Sequence, residues 1–480
     1  MQAHLIEFIT VGFGLILLMY EAFSKGNKSQ IGLVAAAGLS VILVMLFCPA
    51  PSCSGVPAWM ERFYTDNPVT RFYKIIAVVS TILVLLMAVD FRKVLARFTA
   101  GDDQGSGTGE FYCLPVFACA GLMWMASATD LVSVFVALEL VTITFYVMVA
   151  FMRRNVGSLE AGVKYLILGA LSTGFLVYGI AWLYGAMGTT NISEFANVIG
   201  EKTYQSNYLL FGIALILIAL GFKVGAVPMQ LWIPDVYQGA PTPITAYLSV
   251  ASKAAGFIVL ITIIEPFLNS ETALGTSVIT ILAIMAGATL LYGNLAAIPQ
   301  TNFKRLLAYS SIAHAGFLLM GIASGAFLEV SFYLGTYLLM TFAAFFILAL
   351  VRSEEESDEI SAFDGLASRN PMLALALTIA MAALAGIPLT AGFWGKFFMF
   401  QSALIAGLSW WLIGIAFVGV AAGFYYYLKV VRAMYWHSPK NDAAGPLPVP
   451  AITKLVLILL TALILVLGIY PQPVMDLLGR

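Results

Sequence analysis

Residues 207–232 read NYLLFGIALILIALGFKVGAVPMQLW, an almost unbroken apolar run that holds one charge, Lys223, with Pro228 five residues beyond it. A helix needs about 20 apolar residues to cross a bilayer core, so the run is long enough. In lipid only helices and closed barrels satisfy every backbone group, and the period-two alternation of a barrel strand is missing here. The run therefore reads as a transmembrane helix with a charge inside it and a break beside the charge. Proline removes a backbone hydrogen bond and frees a carbonyl, which is tolerated where a helix lines protein interior or a wet cavity.

The rest of the chain repeats the pattern. Of 480 residues, 61% are hydrophobic and 10% charged, with a mean hydropathy of +0.94. Soluble domains carry roughly 25% charge, so an ordinary water-soluble protein is excluded. Apolar runs at 5–21, 31–48, 73–90, 112–128, 130–151, 160–185, 207–231, 241–264, 273–295, 304–323, 328–351, 371–405, 409–432 and 452–470 predict an all-α polytopic membrane protein with about 14 spans. The first run has no basic flank and no small-residue cleavage site, and reads as a retained helix. Counting helix ends with the loops, those after odd-numbered runs hold fifteen Lys and Arg, whereas those after even-numbered runs, with the tail, hold five. The positive-inside rule then places the odd loops in the cytoplasm and both termini outside.

Four lysines remain, Lys164, Lys223, Lys253 and Lys396, all within apolar runs. Glu139 joins them in DLVSVFVALELVTITFYVMV (residues 130–149). Five charges facing lipid would cost on the order of 12–18 kcal/mol, so they are expected to face protein, a partner or water. One glutamate cannot pair with four lysines. Lysine, unlike arginine, can give up its proton, so such a row has the makings of a proton relay. The scale fits, because one proton against 100 mV stores about 2.3 kcal/mol.

The run 371–405 is also interrupted, at Pro388, with Gly386, Gly392 and Gly395 around it and Lys396 beyond. Unbroken, it would stretch about 50 Å against a core near 30 Å. The two breaks are five spans apart. Helices 4–8 (112–264) and 9–13 (265–436) thus form two five-helix blocks, flanked by 1–111 and 437–480. An odd count inverts the second block, giving inverted repeats with Lys223 and Lys396 in corresponding places.

Redox chemistry finds no support in the chain. Cys113 and Cys119 read as small packing residues, while Cys48 and Cys53 flank an outward loop that permits a disulfide. His4, His314 and His437 are too scattered for paired haem ligation, and the run GSGTGE at 105–110 has no preceding strand to make a nucleotide site.

The stretches ALELVTITFYVMVAF (137–151), SLEAGVKYLILGALSTG (158–174), GFKVGAVPMQLWIPDVYQGAPTPITAYLSVASKAA (221–255), QTNFKRLLAYSSIAHAGF (300–317) and AGIPLTAGFWGKFF (385–398) resemble the antiporter-like membrane subunits of respiratory complex I, the NADH–quinone oxidoreductase. The resemblance is strong over about 110–436, and its N-type branch matches best: the M type carries a glutamate where Lys396 stands, and the L type extends into a long lateral helix. It implies a proton-translocating membrane-arm subunit of a bacterial inner membrane, coupled to quinone reduction in other subunits. The implied relay comprises Glu139, its partner Lys223, the connecting Lys253, His314, Lys396 near the exit side, and Lys164. Asp235 is expected to shape the connection between helices 7 and 8 instead. No cofactor is expected in this chain; FMN, iron–sulfur clusters and quinone belong to partner subunits. M-type and small K-type subunits and the lipid bilayer are the expected neighbours, with no nucleic acid. A cation/proton antiporter of the Mrp type or a membrane-bound hydrogenase shares the pattern and is the alternative.

Overall fold

Helices start where a polar side chain can serve the first free N–H groups. Asn67, Asp130, Asn155, Asn302 and Asn370 each accept a backbone N–H at such a start. The computed structural model describes residues 4–23, 29–47, 57, 60–99, 108–201, 206–268, 273–438 and 446–479. Cys48 and Cys53 lie outside the described residues, as does the first half of the Gly-rich run at 105–110.

Among the described residues, thirteen helices are long and apolar enough to cross a membrane. In chain order they are α1 (Leu5–Phe23), α2 (Ser29–Phe47), α3 (Pro68–Asp90), α4 (Glu110–Ser127), α5 (Leu131–Val149), α6 (Val156–Met187), α7a (Ser206–Val224), α8 (Thr242–Leu268), α9 (Ala273–Ala297), α10 (Phe303–Ala323), α11 (Phe327–Glu355), α13 (Trp410–Trp436) and α14 (Ala451–Ile469). The remaining crossing, the twelfth, is split into α12a (Pro371–Ala385) and α12b (Ala391–Ile405). The expected all-α polytopic architecture is therefore present, with both expected breaks. The seventh helix stops at Val224 and resumes as the short α7b (Trp232–Gly239). At the two breaks Gly225 and Gly386 take φ of +80° and +87°, values that L side chains rarely adopt.

α8, α10 and α11 are enclosed along nearly their full length, whereas α1, α2, α6 and α14 expose most of theirs. Charged side chains on the enclosed helices are thereby kept from lipid. Within α8, residues Leu248–Ser252 form a π-turn immediately before Lys253. Such turns occur mostly as single insertions at functional positions.

Two small backbone bridges stand ahead of α5 and α10. Ahead of α5, Leu131 N–H donates to the Thr190 carbonyl and Ile192 N–H to Thr129, both at 2.9 Å. Ahead of α10, Phe303 N–H donates to the Asp358 carbonyl at 2.7 Å and Ile360 N–H to Thr301 at 2.8 Å. Each bridge ties the start of one helix to the segment after the next, and a short 3-10 turn follows each. The two sites are five crossings apart, so they lie at opposite ends of the bundle.

One expectation is corrected. Lys223 stands two residues before its break at Gly225, whereas Lys396 stands ten residues after its break at Gly386. The lysines are not at corresponding sequence positions, because the first belongs to the half-helix that enters the break and the second to the half that leaves it.

Candidate functional site: a buried polar axis

The site begins on α5. Glu139 is half-buried and accepts from the Thr173 hydroxyl of α6 at 2.7 Å. Lys223, buried at the end of α7a, donates to the Thr142 hydroxyl at 3.1 Å. Thr142 lies three residues beyond Glu139, on the same face of α5. No ion pair within 4 Å joins Glu139 and Lys223 among the described residues; Thr142 and Thr173 stand between the acid and the amine. Beside them a cavity lined by Thr142, Gly169, Ser172, Thr173 and Lys223 leaves about 10 Å³ for water centres, near the minimum for one molecule.

α8 carries the line onward. Its Gly256 abuts the Lys223 stem so closely that a Cβ there would lie 3.1 Å from Lys223 Cγ. Lys253 is one turn from Gly256, on the same face. Its ammonium donates to both the carbonyl and the hydroxyl of Ser311 on α10. The Ser311 hydroxyl also meets the Tyr237 hydroxyl of α7b at 3.3 Å.

α10 then sets the spacing. Ser311, His314 and Phe317 lie at successive turns of one face, each step about 4.5 Å along the axis. His314 Nδ1 is 2.6 Å from the Tyr333 hydroxyl of α11, and Nε2 is 3.0 Å from the Tyr427 hydroxyl of α13. Lys396 Nζ sits 5.3 Å from the centre of the Phe317 ring. The same ammonium donates to the carbonyls of Leu384 and Ala385, at 2.8 and 2.9 Å. Those carbonyls end α12a and lack helical partners because of the break, so Lys396 caps the negative end of that half-helix.

Lys223, Lys253, His314 and Lys396 are thus brought into one buried row, with Glu139 at its end. Lys164 differs from the expectation of burial. It lies near the start of α6 with its side chain 41% exposed, paired with Glu160 and Asp235, each at 2.7 Å. Asp235 also holds Arg305 at 2.8 Å. Burial alone would raise the Asp235 carboxyl, but hydrogen bonds from Lys164 and Arg305 outweigh it and hold it below the ordinary aspartate value. This cluster borders a polar cavity of about 550 Å³ lined by Asn155, Glu160, Asp235, Gln238, Asn302 and Arg305. Asp235, on the helix α7b, ties it to α6 through Lys164 and to α10 through Arg305.

Sequence reasoning missed the hydroxyls of Thr142, Thr173, Ser311, Tyr333 and Tyr427. Their only signal is polarity at helical spacing around the charges. It also missed Lys74, which stands at the edge of the run 73–90 and counts with the preceding loop when helix ends do; α3 starts at Pro68, and Lys74 is buried against Glu7 at 2.9 Å. Asn67, Pro68 and Thr70 form a capped helix start that would have revealed this. Lys304 is likewise buried, donating to the Ala240 carbonyl at 2.9 Å. Among the described residues no three His, Cys, Asp or Glu side chains gather as a metal-binding group.

Comparison with known proteins places this geometry in a family. Residues 128–423 match the family model described as NADH:quinone oxidoreductase/Mrp antiporter, TM. A relative named NADH-quinone oxidoreductase subunit N, from Heliobacterium modesticaldum, is 39% identical over 475 residues, covering 98% of this chain and 96% of the relative. A chain in the structure of respiratory complex I from Thermus thermophilus with bound aureothin superposes with a TM-score of 0.80 at 29% identity, covering 98% of both chains. A chain of the Mrp complex from Dietzia sp. shares the fold, with a TM-score of 0.79 at 18% identity over 99% of this chain and 96% of that one. The chain belongs to the NADH:quinone oxidoreductase/Mrp antiporter membrane family, on its NADH-quinone oxidoreductase subunit N branch.

Proposed function

We propose that this chain carries protons across a bacterial inner membrane as a membrane-arm subunit of an NADH–quinone oxidoreductase, through Glu139, Lys223, Lys253, His314 and Lys396. The carrying observation is the continuity of the row: each group touches or flanks a residue that holds the next. Lys164 acts at the polar cavity by the Asp235 cluster, on the uptake side. In this reading both termini face outward, M-type and K-type subunits are neighbours, and FMN, iron–sulfur clusters and quinone reside in partner chains.

Transfer follows from electrostatics at close quarters. Neighbouring cations repel strongly where the surroundings are poorly polarisable. A proton loaded on Lys223 therefore drives the Lys253 proton towards Ser311 and His314. The imidazole accepts on one nitrogen and donates from the other, so it passes a proton on without turning over. Glu139 balances the charge on Lys223 through the threonine hydroxyls, and any shift in that balance, imposed by partner subunits, gates the row.

The nearly full-length relatives named subunit N favour this reading over a cation/proton antiporter or a membrane-bound hydrogenase. The test is proton translocation per NADH oxidised by the assembled complex in vesicles. Lys223→Ala and Glu139→Ala are expected to lower that ratio while assembly persists. A wild-type ratio in both variants removes the relay.

A further inference from the structure

α1 and α3 hold a second acid–amine pair, apart from the row. Glu7 Oε1 and Lys74 Nζ are 2.9 Å apart, with both side chains buried. The Tyr64 hydroxyl donates to that same oxygen at 3.0 Å, and Lys74 donates to the Tyr64 hydroxyl at 2.5 Å. Glu7 Oε2 has no hydrogen-bond partner among the described residues. On the side towards the helix ends, Asp66 Oδ1 lies 4.0 Å from Lys74 Nζ. Asp66 is held by Arg71, which is 42% exposed. Towards the row, Tyr73 shares a hydrogen bond of 3.0 Å with Ser331 on α11, two residues before the Tyr333 that holds His314. Thr81 shares one of 2.7 Å with Tyr247 on α8.

As a fastener this pair is poor. Burying two charges costs several kcal/mol per ion, and apolar residues of the same volume hold helices at least as well. A free carboxylate oxygen, a buried amine and a half-buried acid held by the partly exposed Arg71 are instead, in sequence, the parts of a proton outlet. α1, α3 and α11 all begin at this end of the bundle, the outer end in the orientation proposed above.

We propose that Glu7, Lys74 and Asp66 form a proton-release site at the outer end of α1 and α3, which rests on the proton-carrying reading of this chain. A protonated water coming from the row breaks one of its O–H bonds, the proton forms an O–H bond on Glu7 Oε2, and the counter-charge of Lys74 is removed. The ammonium then breaks one N–H bond, Asp66 gains that proton and yields it to outer water. Rotation of the Glu7 carboxyl then brings its protonated oxygen to the neutral Lys74, which takes that proton as the Glu7 O–H bond breaks, and the ion pair is restored at 2.9 Å. One proton enters, one leaves, and no electron moves.

The assembled complex in vesicles decides this through the ratio of protons translocated to NADH oxidised. Lys74→Arg keeps the charge pair but cannot release its proton. Lys74→Arg and Glu7→Gln are expected to lower the ratio as far as Lys223→Ala does, with Glu7→Asp restoring it. Should Lys74→Arg not assemble, Glu7→Gln against Glu7→Asp carries the decision. A wild-type ratio in both Glu7→Gln and Lys74→Arg overturns the outlet, as does failure of both to assemble, which marks the pair as structural. A wild-type ratio in Lys223→Ala alone overturns the broader reading instead.

Discussion

The Lys396 ammonium donates to the Ala385 carbonyl at 2.9 Å, across the break that divides the twelfth crossing. The proposed proton carrier is thereby also the cap of a half-helix. Lys396→Arg keeps a cation at those carbonyls but holds its proton. We expect the complex to assemble and its proton-to-NADH ratio to fall. Lys396→Ala also strands the carbonyls of Leu384 and Ala385, at about 1–3 kcal/mol for a buried unsatisfied group, which a lowered thermal midpoint would register.

Thr142 tests whether Lys223 needs its hydroxyl partner. Thr142→Val removes the 3.1 Å hydrogen bond at nearly constant volume. Turnover-linked proton transfer is expected to drop roughly tenfold or more, since one lost bond to a charged group is worth about 1.5–3 kcal/mol. Thr142→Ser should recover most of it. Equal rates for the two variants would show that Lys223 is served some other way.

His314 is held from both sides, so its two tyrosines are expected to act together. Tyr333→Phe and Tyr427→Phe each leave one ring nitrogen without its hydroxyl. The double variant should differ from the sum of the singles by about 0.5–3 kcal/mol in a double-mutant cycle on the transfer rate. Additivity would mean that the imidazole is not held by both.

The Asp235 cluster carries a pH signature. Its carboxyl is held below the ordinary value, so the stabilisation is present above the unfolded value of about 3.9 and is lost as pH falls through the folded one. Asp235→Asn is expected to flatten the thermal midpoint against pH in the acid range. The loss near neutrality should be small, about 1 kcal/mol or less, because these side chains are well exposed and water screens them. An unchanged acid limb would assign it to other carboxyls.

Where helices begin was the weak point of reading the chain, and it misplaced two lysines in opposite senses. Lys74, at the edge of the run 73–90, reads with the preceding loop and is buried, because a capped start at Asn67 and Pro68 carries α3 more than a turn ahead of that run. Lys164 was counted with the buried charges and is 41% exposed, because α6 runs past the apolar core to Val156 and gives Lys164 two carboxylates at its edge. Apolar runs report where lipid is, whereas helices extend until a cap stops them.

Composition and spacing were enough for the helices, both breaks and four of the charges within them, Glu139, Lys223, Lys253 and Lys396, since each follows from the cost of putting a polar group into lipid. The order in which those charges meet was not. Glu139 and Lys396 are over 250 positions apart in the chain, and nothing local says that α8 lays Lys253 against Ser311 or that α10 spaces it one turn from His314. Packing of enclosed helices decided that, because a hydroxyl or carbonyl becomes a charge's partner only when another helix delivers it within hydrogen-bond reach.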